Sequence, residues 1–438
     1  MVVLCSDVAV KEILDKRSAL TNERGDHYVG HQILGGGEHM LLMPNGPKWR
    51  LQRKLMQRML NIQVARSYIG NYTMVENKQM MFDLLQKPDD FIFHLKRYSN
   101  SVFSTIIYGR RSPTHDDPTM IELVEQVDSM GVIMQSSTSA LADIYPLLRR
   151  LPHWMMPTMN KASRWHDKQN KVYLRLWNEV KAKLAAGRAQ PCFAADILLE
   201  QKKEGFTDIF GATLAGAALE AGTDTTANEL GGFVQAMVLF QEVQKKAQAE
   251  LDRVVPDRAP TIEDPQALPY IRCCVKESLR WIPTAIMGAA SHAAKEDIKC
   301  QGVVIPKGVL LVNNVYAIRH DPKRHGNPRE FKPERYWGDN KSAFESAQSA
   351  NAAGRDNFTL SAGRRLCAGI HVAEQSLFLG IARILWNFDI KPKINLVTKQ
   401  AIIPDSERYT QAVVCMPEPY QASITPRSKQ RANLMVKE

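Results

Sequence analysis

The stretch Phe358-Thr-Leu-Ser-Ala-Gly363-Arg-Arg365-Leu-Cys367-Ala-Gly369 constrains this chain more than any other. It sets one thiol between a Gly- and Arg-rich turn and a run, Ala368 to Trp386, with helical periodicity. A cysteine at a helix N-terminus faces unpaired backbone N–H groups and the positive end of the helix dipole. Both favour thiolate over thiol. Gly363 and Gly369 permit tight turns and close backbone approach, and Arg364 and Arg365 add positive charge.

A lone cysteine is most often a buried small hydrophobe. Zinc is disfavoured, since no second Cys or His pair stands at zinc-ligand spacing. A single thiolate in such a loop suits the axial position of a haem, where its electron donation favours O–O cleavage. The loop resembles the cysteine-ligand loop of the cytochrome P-450 superfamily, Phe-x-x-Gly-x-Arg-x-Cys-x-Gly, matched by Gly363, Arg365, Cys367 and Gly369. Leu360 stands where the family usually has Phe, which touches the packing over the thiolate and leaves the ligand in place.

Ala215 to Leu239 reads as a helix with an unusual centre, Ala221-Gly222-Thr223-Asp224-Thr225-Thr226. Ala218, Ala221, Gly222 and Thr225 share one face, and small residues there leave a shallow groove. Gly222 and the threonines weaken the helix locally, and the Thr225 hydroxyl can bond back to the Ala221 carbonyl. Close helix–helix packing would explain such a stripe equally well. The resemblance implies instead an oxygen-binding helix, with Ala221 and Gly222 against the haem and Asp224 and Thr225 delivering protons.

Glu277-Ser-Leu-Arg280 lies in a helical run from Tyr270 to Trp281, and Phe331-Lys-Pro333-Glu-Arg335-Tyr336 follows it. The resemblance implies a buried Glu277–Arg280–Arg335 network that supports the fold and takes no part in chemistry. Near the start, Trp49-Arg-Leu-Gln-Arg53 puts an indole and a guanidinium one turn apart within a basic amphipathic stretch. In the family such a pair contacts a haem propionate. Arg365 and His292 resemble the other propionate contacts.

The resemblance runs from Val2 to about Pro417 and implies a mainly α fold with a minor β part: a single cytochrome P-450 domain over residues 1–438. Asn340 to Asp356 reads as an exposed insertion, and residues 418–438 as a flexible tail. Microsomal relatives begin with a membrane-spanning helix and first strands, whereas Met1 to Leu14 already resembles the strand and helix that follow them. The chain therefore reads as N-terminally truncated. No window reaches about 18 uncharged apolar residues, so it reads as soluble by hydropathy, with the cytosolic face of the endoplasmic reticulum expected for a full-length form.

At 438 residues the chain can bury a sizeable core. Its 7 cysteines are odd in number and lack framework spacing, so disulfides are not expected. The net charge of +11 is scattered, and no nucleic-acid recognition motif accompanies it. A basic face toward an anionic membrane or an acidic redox partner is the more natural reading. Helical periodicity covers Lys48–Gln86, Phe91–Tyr108, Thr119–Met134 and Lys161–Ala186, with a break from Pro146 to Pro157. Strand-like pieces are Cys300–Ile305, Val309–Val312 and part of Ala401–Cys415.

Gly35-Gly36-Gly37 is not a dinucleotide fingerprint, and no flavin or nicotinamide module is recognisable. The resemblance then implies haem b, electrons from NADPH through a separate cytochrome P-450 reductase, with cytochrome b5 as a further donor and peripheral membrane contact. The expected activity inserts one oxygen atom of O2 into a C–H or C=C bond of a hydrophobic small molecule entering near Thr284–Ala289. The overall style is similar to filamentous-fungal secondary-metabolism members. A haem-thiolate isomerase or dehydratase, or an inactive truncated haem-binding remnant, are the alternatives.

Overall fold

A computed structural model describes residues 1–438 except Ser136, Gln301, Gln411, Ala412 and Glu438. Its longer helices are α1 (Pro47–Met59), α2 (Tyr68–Gln86), α3 (Phe91–Tyr108), α4 (Pro118–Gln135), α5 (Pro157–Ala185), α6 (Phe193–Glu204), α7 (Asp208–Leu239), α8 (Gln241–Val254), α9 (Pro269–Trp281) and α10 (Ile370–Asn387). Short strands complete the chain, so the fold is mainly α with a minor β part.

Helix α7 is the axis of the molecule. Its start is set by Thr207, whose hydroxyl accepts from the Phe210 N–H, with Asp208 complementing the helix dipole in the first turn. It packs against α3, α4, α5, α6 and α10. Glycines make the approach close enough: a Cβ at Gly211, Gly216 or Gly222 would lie 2.4, 2.2 or 2.0 Å from the rings of Trp177, Tyr173 and Phe103. The main apolar core forms around this axis, with Trp177, Tyr173, Phe193, Phe233 and Trp386 fully buried.

The stretch of helical periodicity, Lys48–Gln86, holds three helices: α1, a short one at Ile62–Arg66, and α2. Asn61 divides them, because its side chain accepts from the Gln63 and Val64 N–H groups and starts a new helix. Helices α3, α4, α7 and α9 contain the runs read from periodicity, and α5 covers its run except for the capping Ala186.

Three small sheets flank the helices. Strands β1 (Val2–Leu4), β2 (Glu23–Arg24), β3 (His292–Ala293) and β6 (Leu310–Asn313) form one sheet in the order β1-β6-β3-β2, with β1 parallel to β6. Strands β4 (Ile298–Cys300) and β5 (Val303–Ile305) form a hairpin. Strand β7 (Phe388–Ile394) pairs with β8 (Ala401–Ile402) and β9 (Ala422–Pro426). Sequence patterning missed β7 because it continues from α10 without a break. The remainder of Ala401–Cys415 holds only a Tyr409–Pro417 bridge, and Gln411 and Ala412 lie outside the described residues.

Two expectations about exposure are corrected. Residues 340–356 are not simply an exposed insertion. A capping box on Ser342 and Glu345 starts a short helix there, and Ala343, Ser346, Ala347, Arg355 and Asp356 are buried. The 418–438 tail is likewise anchored. It contains β9 and the helix Lys429–Lys437, and Arg427 and Arg431 both pair with Asp252 at 2.7 Å. Among the described residues, no helix is long and apolar enough to cross a membrane.

Candidate haem-binding site

The loop that carries Cys367 is held from outside. Asp15 accepts from the Gly363 N–H at 2.7 Å and pairs with Arg355 at 2.8 Å, and Arg355 in turn binds the Asn357 and Ser361 carbonyls. Gly363 has φ +56°, and a Cβ there would meet the Leu14 carbonyl oxygen at 2.0 Å. Only glycine fits that position. Arg324 and Arg355 lie 5.3 and 4.8 Å from the centre of the Phe358 ring, and the Cys367 N–H donates to the Leu360 carbonyl at 2.9 Å. Leu360 packs against the cluster of Ala343, Ala347, Leu366 and Ile370.

Cys367 precedes α10 by three residues, with Gly369 as the cap. The expected thiolate preference is not met by the protein alone. Burial pushes the Cys367 thiol up, and this outweighs the opposing Gly369 N–H and the Arg53 charge. A metal ion at the sulfur would reverse that balance, because a coordinated thiol is deprotonated outright.

Around this loop stand three guanidinium groups that form no ion pair among the described residues. Arg365 is held by the carbonyls of Asn22 at 2.8 Å and Met43 at 2.8 Å, and its guanidinium lies 4.2 Å over the Trp49 ring. Burial pushes it down to about 9, with the Arg24 charge acting in the same direction. Arg24 binds the carbonyls of Leu41, Ala290 and Ser291, and burial pushes it down to about 10. Arg53 leaves its Nε without a partner and is also depressed by burial.

His292 lies on β3, buried, and its Nδ1–H donates to the Thr21 carbonyl at 2.8 Å. Burial and the neighbouring Arg24 push it down to about 3, so it is neutral. Such an excess of desolvated cation is costly without an anion. The donor set therefore fits a haem: one cysteine for the iron and guanidiniums for carboxylates. Arg24 escaped sequence reading because no motif marks it.

Between Phe210 and Val238 of α7, only Ala217, Ala221 and Thr225 escape burial. Their spacing of four makes one open stripe within an otherwise buried helix. The open face thus differs from the expected Ala218–Ala221–Gly222–Thr225 set. Ala218 is buried, and Gly222 is turned to Phe103, its carbonyl accepting from Ser99 at 2.7 Å. The Thr225 hydroxyl does donate to the Ala221 carbonyl, at 2.8 Å. Asp224 is buried with Oδ1 unpartnered, and burial pushes its carboxyl up to about 6.

Glu277 and Arg280 form a fully buried two-bond pair at 2.7 and 2.8 Å, and Arg335 reaches Glu277 at 3.3 Å. Arg280 also binds the carbonyls of Arg319, Pro328 and Glu330. These carboxylate and guanidinium groups are satisfied, as a structural network requires.

A helical scaffold with a cysteine in a Gly-Arg loop, buried or half-buried guanidiniums without ion-pair partners among the described residues and a small-residue helix face fits a haem-thiolate protein. The family profile described as Cytochrome P450 matches residues 1–424. Similar proteins include cytochrome P450 monooxygenase virE of Hypocrea virens, 41% identical over 98% of this chain and 78% of that protein. Monooxygenase fogE of Aspergillus ruber is 38% identical over 99% of this chain and 80% of its own length, and fsoB of Humicola fuscoatra 38% over 99% and 79%. The chain belongs to the cytochrome P450 family, is a haem-thiolate monooxygenase, and takes haem iron as its cofactor.

Proposed function

We propose that the Cys367 thiolate would hold the iron of haem b, and that Trp49, Arg53, Arg365 and His292, joined by Arg24, would hold its carboxylates. The observation that carries this is the set of buried guanidiniums bound only to carbonyls or left open beside a single cysteine. When bound, the haem iron supplies the activation of dioxygen for insertion into a substrate bond. Ala221 leaves room at that face, while Gly222 sets the depth of α7 against α3. Asp224 and Thr225 hold and pass protons. A carboxyl at about 6 is matched to neutral-pH transfer.

The residues Ala285–Ala289, half-buried to exposed beyond Thr284, supply a substrate entrance. The substrate is a hydrophobic small molecule of secondary metabolism, in keeping with the fungal origin of the similar monooxygenases. Electrons come from NADPH through a separate reductase, cytochrome b5 being a further donor, which the net charge of +11 favours for an acidic partner. Exposed Ile144, Tyr145, Leu147, Trp154 and Met155, near Arg149, support a peripheral contact with the cytosolic face of the endoplasmic reticulum.

The test is the reduced carbon-monoxide difference spectrum of residues 1–438. A thiolate-type red-shifted Soret band that disappears in Cys367→Ser is the expected result. A band unchanged by that substitution would remove Cys367 from the ligand position.

A further inference from the structure

The residues just before Ala221 hold a polar cluster that the reaction does not require. Glu220 is 6% exposed, and its Oε1 accepts from the Gln169 amide at 2.8 Å. Its Oε2 has no hydrogen-bond partner. Facing it is His39, 5% exposed, with neither ring nitrogen hydrogen-bonded. The His39 Nε2 to Glu220 Oε2 separation is 3.8 Å, beyond a direct hydrogen bond. Tyr173 shares the Gln169 amide at 2.7 Å, and the Tyr108 hydroxyl nearby is unpartnered.

The position of this cluster ties it to the reaction space. Glu220 sits on α7 between Ala217 and Ala221, two members of the open stripe. His39 lies in the loop whose Met40, Leu41 and Met43 carbonyls hold Arg365 and Arg24. The pair therefore bridges the cation ring and the open face of α7.

Buried polar atoms without partners are costly, so a group that satisfies several at once is recognised strongly. We propose that His39 and Glu220 recognise a hydroxyl group on the substrate, a reading that rests on the monooxygenase assignment above. A hydroxyl is both donor and acceptor. An oxygen about 2.8 Å from each of two atoms 3.8 Å apart subtends an angle of about 85°, compatible with donating to Glu220 Oε2 while accepting from His39 Nε2–H. A substrate carboxylate would set two carboxyl groups against each other at Glu220, and an unsubstituted hydrocarbon would leave both groups unpaired. The substrate is thus apolar in body with a hydroxyl at one end.

Calorimetric titration of the haem-loaded protein tests this with ligand pairs differing by one hydroxyl: 4-ethylphenol and ethylbenzene, 1-naphthol and naphthalene, 9-phenanthrol and phenanthrene. We expect at least one hydroxylated member to bind about tenfold more tightly than its hydrocarbon, the worth of two hydrogen bonds. That preference is expected to vanish in Glu220→Ala and in His39→Ala, and to survive in part in the milder Glu220→Gln, with hydrocarbon affinity kept or raised. No preference in any pair, or one that persists in both alanine variants, overturns the proposal. Stronger binding of 1-naphthylmethylamine, an ammonium at neutral pH, than of 1-naphthol would also overturn it, because Glu220 would then be an ammonium site. The carbon-monoxide spectrum of the same sample reports separately on the haem assignment.

Discussion

The Glu229 carboxylate accepts both hydrogen bonds that Thr284 can offer, from the backbone N–H at 3.0 Å and from the hydroxyl at 2.5 Å. Glu229 follows Thr225 by one turn, in register with the open stripe of α7. It therefore ties that helix to the start of the Thr284–Ala289 segment at the proposed entrance. Its other oxygen has no partner, and burial pushes its carboxyl up from 4.5 to about 7.

Stability should carry the signature of this group. Its folded value lies above its unfolded one, so between about pH 4.5 and 7 the unfolded state binds fewer protons and stability falls as pH rises. Glu229→Gln keeps an acceptor for Thr284 and removes the titration. In urea unfolding from pH 5 to 8, the variant should gain on the parent by up to about 3 kcal/mol. A difference independent of pH would contradict the assignment.

Retention of haem should depend on Arg24, which no motif marks, as well as on Arg365. Replacing Arg24 or Arg365 by Leu removes a charge-assisted contact of about 1.5–3 kcal/mol, so haem transfer to apomyoglobin should run about 10- to 100-fold faster. Arg24 matching Arg365 in this assay would establish it as part of the cradle. Unaltered transfer would leave Arg24 only its bonds to Leu41, Ala290 and Ser291.

Proton supply separates Asp224 and Thr225 from the packing around them. Asp224→Asn and Thr225→Ala should keep NADPH consumption but divert it, releasing hydrogen peroxide in place of product, with product formation down by about 100-fold. In the parent, coupling should decline above about pH 6 as Asp224 loses its proton, and it should be flat with pH in Asp224→Asn. Unchanged product yield per NADPH would remove both residues from the proton path.

Packing alone decides the next case. Gly222→Ala drives a methyl to 2.0 Å from the Phe103 ring and should cost about 1–3 kcal/mol in thermal or urea unfolding. Phe103→Leu in the same chain should recover part of that loss. Ala221→Gly, one residue away on the open stripe, makes no clash and should cost only the helix-propensity difference, about 1 kcal/mol.

The cysteine loop and the Glu277–Arg280–Arg335 network were legible because each is a local pattern with fixed spacing. The reach of α3, α7 and α9 was legible for the same reason, since hydrophobic periodicity is a property of neighbours along the chain. Gly222 was misread in orientation. Its composition announced a small-residue face, but which side of α7 faces Phe103 and which stays open depends on where α3 docks.

Residues 340–356 and the C-terminal segment were misjudged because polar, Ser- and Asn-rich composition predicts exposure only on average. There, a capping box and the Arg427–Asp252 and Arg431–Asp252 pairs supplied anchors that composition does not reveal.

The sequence alone determined the class of this protein, because a cysteine in a Gly-Arg loop and its supporting motifs are written within short stretches of chain. Only the tertiary structure brought Arg24 beside Arg365, Glu229 beneath Thr284, and His39 against Glu220. These partners stand tens to hundreds of residues apart. What joins them is the burial of polar groups, and a buried group finds its partner only once the chain around it has folded.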